Sequence, residues 1–179
     1  MKKVFIASAI AMAMASGSAM AANQQAEVQF LGVVTEVTCD ITPSVNGNTS
    51  SVVQLGTIQK GQSGQWVDFA LKAKDPAAAG CAGLTGANKV ATVVFQGPLG
   101  DKGLENTSGT ATDATVSLKT VNAKDTAEQS INKTTNSINF AAEKVLSDGY
   151  QFKAQLTSDA VTGTAGTFDS ALAYAVVYN

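Results

Sequence analysis

Two cysteines, Cys39 and Cys81, three separated carboxylates late in the chain, Asp148, Asp159 and Asp169, and a single tryptophan, Trp66, are the side chains that could do chemistry. Histidine is absent, which removes Ser/His and Cys/His nucleophilic pairs and all His-bearing metal motifs. Carboxylates hydrolyse a glycosidic bond only as a pair held at a defined separation, which chain spacing does not set. Two thiols without histidine make too thin a ligand set for tetrahedral zinc. Gly100-Asp101-Lys102-Gly103 lacks the Asp ladder of a calcium loop. No catalytic residue, cofactor or metal ligand is expected, and a secreted hydrolase is kept only as a check. Trp66 heads an alternating stretch that places it opposite Val67, Phe69 and Leu71. Packing in the core or at a strand edge is the first reading, and stacking on a glycan the second. Asn48-Thr49-Ser50, Asn106-Thr107-Ser108 and Asn132-Lys133-Thr134 match the glycosylation acceptor pattern, as Thr/Asn-rich loops do by chance.

The compartment follows from the start of the chain. Met1-Lys2-Lys3, an uncharged run from Val4 to Ala15 and the small residues Ser16 to Ala21 form a secretory signal with an A-x-A site, residues 1–21 being cleaved. The apolar run is too short for a confident membrane span, which needs about 20 residues. In an exported chain the two cysteines imply one disulfide, Cys39 to Cys81. Loss of Lys2 and Lys3 moves the formal charge from −2 to −4, and Arg is absent. A mildly acidic chain without Arg is a poor candidate for phosphate-backbone recognition, so no nucleic acid is expected. It offers no polybasic segment to anionic lipid. Residues 22–179 fit one domain.

The elements that must position these groups are strands. In the closing stretch, GTFDSALAYAVVYN, Phe168, Leu172, Tyr174, Val176 and Tyr178 recur at every second position, with Ser170 the one polar interruption. Such a row lies on one face of a strand. An uncovered edge of this character is a template for pairing with another chain. Val28–Cys39 reads as a strand whose apolar row changes face near Gly32, a bulge or bend position. Further strands are expected over Val52–Leu55, Trp66–Lys72, Val90–Phe95, Ala114–Val121, Ile138–Phe140 and Gly149–Leu156. Residues 43–48, 77–86 and 100–113 read as turns or loops, and 122–139 as loop with at most one helical turn. No helix and no repeat stand out. The pattern predicts an all-β, two-layer antiparallel sandwich, which composition does not separate from a jelly roll. The polar segment 22–27 by itself is a loose leader.

Gly166 fourteenth from the end, the alternating residues after it and the penultimate aromatic Tyr178 resemble the C-terminal signature of fimbrial (pilin) subunits assembled by the chaperone/usher route. The export signal, Phe30-x-Gly32 ahead of Cys39, and Cys81 agree with that family. The resemblance implies a type 1-like major shaft subunit with an immunoglobulin-like sandwich lacking its final strand, residues 29–179, completed by donor-strand exchange. It makes 22–28 a donor extension inserted into a neighbouring subunit, with Ala22, Gln24, Ala26 and Val28 in the inserting strand. The extension is short and lacks the Gly common partway along, which leaves its register open. Gly166, Phe168, Leu172, Tyr174, Val176 and Tyr178 become the groove residues that meet subunit and chaperone. The implied partners are a periplasmic chaperone, an outer-membrane usher, copies of the chain and other fimbrial subunits, with a host glycan possible at Trp66. The place implied is the cell surface, reached through the periplasm. The alternative is a secreted glycan-binding module or adhesin with the same sandwich.

Overall fold

The computed structural model describes residues 39–86 and 88–179. The expected export segment, the residues expected in the donor strand, Ala22, Gln24, Ala26 and Val28, and the strand expected up to Cys39 with its Phe30-x-Gly32 pair lie outside the described residues. Ten strands occur within them: β1 (Ile41–Val45), β2 (Asn48–Thr49), β3 (Val67–Ala73), β4 (Val90–Gln96), β5 (Leu104–Glu105), β6 (Ala114–Thr120), β7 (Ser130–Ile131), β8 (Ser137–Ala141), β9 (Tyr150–Ser158) and β10 (Ala173–Tyr178). All pair antiparallel. The larger sheet runs β2-β1-β3-β9-β6-β5, with β7 also on β6, and the smaller β10-β4-β8.

The alternation of the sequence becomes the two faces of each sheet. Tyr150, Phe152, Ala154 and Leu156 of β9, Val116 and Leu118 of β6, and Ala91, Val93 and Phe95 of β4 point inward into one shared core. Phe152 is its centre. Its ring stacks on Phe69 (5.2 Å) within the larger sheet and meets Phe95 (5.2 Å) and Phe140 (5.4 Å) of the smaller sheet edge-on, the arrangement that the quadrupoles of facing rings favour. Burial of each such side chain contributes about 1.5–3 kcal/mol. Tyr150 is buried beside them, its hydroxyl donating to Ala142 O at 3.0 Å. Removal from water pushes that phenol's pKa up.

The all-β sandwich stands as expected, with local departures that each have a cause. β1 runs through Pro43, so only Asn46 and Gly47 turn. Their φ values of 51° and 82° are those of the two-residue hairpin turn whose twist matches its strands, a conformation glycine tolerates best. Residues 52–55 pair with no strand among the described residues, although Val53 and Leu55 rest on the core. Two short 3₁₀ segments, Ala79–Leu84 and Ala142–Leu146, occupy stretches where no helix was expected. The loop 100–113 carries β5. At the end of β6, Thr120 rather than Val121 turns inward: its Oγ1 donates to Ala127 O (2.7 Å) and accepts from Gln129 N–H (2.8 Å), while Val121 is 40% exposed. A buried hydroxyl is tolerated when both its roles are filled. The last strand is shorter than its alternation, beginning at Ala173 and leaving 166–172 outside the sheet.

Cys39 and Cys81 form the expected disulfide, Cα–Cα 4.5 Å, across 42 residues of chain. It ties the start of β1 to the first 3₁₀ segment, where Cys81 is 1% exposed. Closing a loop of that length is worth about 4 kcal/mol on the chain-entropy model. Replacing both cysteines by serine should therefore lower the stability of the mature chain by about 2–4 kcal/mol, read from urea unfolding. An unchanged midpoint would show that the bond contributes nothing.

Candidate functional site: a groove beside an open strand edge

Among the described residues, three of the four sheet margins are short or crossed by a loop. The larger sheet ends in β2 on one side and β5 and β7 on the other, each only two residues long, and short edges offer little template. The outer edge of β8 is crossed at its middle by a loop, where Asn139 O accepts the Lys124 N–H at 2.8 Å. The fourth margin is β10. Val90 and Asn179 exchange both backbone bonds (3.0 and 2.9 Å), so they are a hydrogen-bonded pair, and along the register the bonded pairs continue at Val177–Thr92 and Ala175–Val94. Alternation then turns the N–H and C=O of Tyr174, Val176 and Tyr178 to the side away from β4, where no described residue pairs with them. The side chains of the same three residues pack against the core.

A groove of about 1010 Å³ opens beside this edge. Its floor is the core itself, through Phe69, Phe95, Leu104, Val116, Leu118 and Leu156. One wall is the unpaired segment 50–60, where Val52 is 63% exposed, and the other is 164–172 with Tyr174. Tyr174 Oη donates to Ile41 O at 3.3 Å, bridging the two sheets, and burial pushes the phenols of Tyr174 and Tyr178 up. Of the residues singled out in the closing stretch, Gly166, Phe168, Leu172 and Tyr174 line the groove. Val176 and Tyr178 lie beyond it against the core. Ser170 keeps its Oγ buried with no partner among the described residues.

Gly166 has a steric reason to be glycine. A Cβ there would stand 2.4 Å from Ala111 N and 2.6 Å from the Thr110 carbonyl carbon, so the rim passes against the 106–111 loop more closely than any side chain permits.

Trp66 sits on the outer face of the larger sheet, 37% exposed. The Lys153 and Lys119 ammoniums lie 5.1 and 5.6 Å from its ring centroid, within cation–π range. Both lysines also hold Glu128, at 2.5 and 2.7 Å. This cluster, absent from the sequence reading because its members come from four segments, carries one net positive charge. The described residues hold no cluster of three or more His, Cys, Asp or Glu suited to a metal.

No family model matches the chain. The fold is that of a pilus rod subunit: the P pilus rod subunit PapA superposes with a TM-score of 0.50 over 87% of this chain and 100% of that one, at 17% identity. In sequence, the F107 fimbrial protein of Escherichia coli is 40% identical over 178 residues, 99% of both chains. The K99 fimbrial protein of Escherichia coli is 28% identical over 186 residues, also 99% of both. The chain belongs to the fimbrial protein family.

Hydrogen bonds from Lys119 and Lys153 hold the Glu128 carboxylate down to about 2, from 4.5. A folded-state value below the unfolded one stabilises above about 4.5 and loses that contribution as pH falls toward 2. The pair is solvent-exposed and screened, so the effect is small. Glu128→Gln should lower the melting temperature slightly at pH 7 and leave it unchanged near pH 2. An equal loss at both would show that the ion pairs carry none of it.

Proposed function

We propose that the chain is a shaft subunit of a chaperone/usher-assembled surface fimbria, polymerising head to tail by strand insertion. The observation that carries this reading is the unpaired β10 edge beside an apolar groove. Residues 22–28 of one copy would lie along that edge in the next, adding backbone hydrogen bonds and filling the groove. Strand addition to a sheet edge is a general recognition mode, of which chaperone–pilin complementation is one example. The parity of the edge supports a particular face. Residues hydrogen-bonded opposite Tyr174 and Val176 share their inward side, so one row of the extension faces the core. Ala22, Gln24, Ala26 and Val28 suit that place. The other row would bury the carboxylate of Glu27, at a cost of several kcal/mol.

A contact between two different surfaces of the same chain does not close on itself, so it propagates into a filament. In this reading residues 1–21 are removed on export, 22–28 are the donor strand and 29–179 the acceptor domain. A periplasmic chaperone holds the groove first, an outer-membrane usher passes the subunit outward, and the fibre of this and other subunits supports adhesion at the cell surface. A structural role leaves no call for catalysis. Glycan contact at Trp66 has less support, because two ammonium groups already stand over its ring.

Deleting 22–27 in the full-length precursor should abolish fibres seen by electron microscopy while the subunit still accumulates in the periplasm. Normal fibres would overturn strand insertion. For adhesion, Trp66→Ala fibres should attach to cells as wild-type fibres do, and a severalfold loss of attachment would restore Trp66 as a glycan contact.

A further inference from the structure

The groove wall 166–169 belongs to no sheet, so something else must hold it. Asn106 does. Its Nδ2 donates to Ala111 O (2.7 Å) and Thr167 O (3.1 Å), and its Oδ1 accepts from Gly109 N–H (3.0 Å) and Asp169 N–H (2.9 Å). Two donors and two lone pairs are all that a side-chain amide has, and each is used. Around this hub, Thr110 and Thr167 exchange bonds between backbone N–H and hydroxyl (3.1 and 3.2 Å). Asp169 O accepts from the Thr107 and Ser108 N–H groups, both at 3.1 Å. The joint is also close-packed: a Cβ on Gly109 would lie 2.1 Å from Thr167 O and 2.6 Å from Asn106 Oδ1.

We propose that Asn106 is a positioning residue for strand insertion, fixing the rim so that the groove stays open and presents a rigid wall to the inserted strand. This rests on the strand-insertion reading above. Phe168 and Leu172 already rest half-buried on the apolar floor, and a rim released from Asn106 would be free to carry them further into the groove, the direction in which burial drives them. The glycosylation-like match at Asn106-Thr107-Ser108 thereby receives a different meaning, since the amide nitrogen is already committed to two carbonyls.

The test uses fibres of the full chain assembled in cells with their export partners. Asn106→Ala removes all four bonds. Asn106→Asp keeps the two acceptor bonds and sets a carboxylate oxygen against two carbonyls. Both should release monomer in detergent about tenfold faster than wild type at a fixed temperature, as expected for loss of more than one net hydrogen bond. Amide exchange should quicken at 167–169 and stay unchanged in β6 and β9. A Thr110→Cys/Thr167→Cys pair, replacing hydroxyls 3.4 Å apart, should restore slow release to Asn106→Ala. Wild-type release from the Asn106 variants overturns the proposal, as does faster exchange throughout β6 and β9, which would make Asn106 a general stability residue. Should neither variant accumulate, Thr110→Val/Thr167→Val cuts the reciprocal bonds alone and is judged by the same two readouts. Loss of fibres on deleting 22–27 with unchanged release from Asn106→Asp overturns the positioning role alone. Normal fibres from that deletion overturn both.

Discussion

The small sheet stops at β10, and along that edge the backbone groups of Tyr174, Val176 and Tyr178 have no partner among the described residues. Unpaired backbone groups beside apolar side chains are costly to leave and are an invitation to a strand. Among the described residues the other margins are shortened or crossed by a loop, and β10 is the margin with no backbone partner along it. That contrast gives the groove its meaning. A chain that left every edge open would aggregate, and one that covered them all would have no reason to join a neighbour. On the proposed strand-insertion reading, an open edge allows growth along a single contact, the condition for a filament and not a clump.

A fixed edge needs a rigid frame. The aromatic cluster around Phe152 locks the two sheets together from both sides, and the Cys39–Cys81 bond anchors the approach to β1. On the far face of the larger sheet, Lys119 and Lys153 gather Glu128 and cover Trp66, fastening the 121–129 connection to the strands beneath. The groove walls are different in kind, for both are irregular segments. The 164–172 wall is held by side-chain and backbone hydrogen bonds from the 106–112 loop, and its glycine at 166 is there because two backbones touch. Rigidity at the walls thus depends on a few polar groups, whereas rigidity at the floor depends on buried area.

The strands most legible in the sequence were those with one face fully buried. β4, β6 and β9 alternate between buried and half-buried positions along nearly their whole length, and period two is a direct record of that environment. Errors arose where a residue's neighbour was not a sheet. Val52, Val53 and Leu55 are apolar because they wall a groove, a reason indistinguishable in sequence from membership of a strand. At the end of β6 the polar Thr120 is buried and the apolar Val121 exposed, because the burial of Thr120 depends on a carbonyl and an amide from a connection that no periodicity announces. Phe168 and Leu172 continue the row of β10, yet they lie outside the strand, and the backbone of Thr167 and Asp169 on either side of Phe168 bonds to a loop, so the row is longer than the strand.

By itself the sequence determined the all-β class, the two-layer core, the cysteine pair and the apolar row that closes the chain, because each is written in residue type and spacing along a local stretch. Tertiary structure alone decided which edge stays open, where the groove runs, and that Asn106 holds its rim. The reason is physical: alternation records which face a side chain takes, but not what lies beside the strand. That neighbour is supplied from far along the chain, as when Asn106 reaches Thr167 across 61 residues.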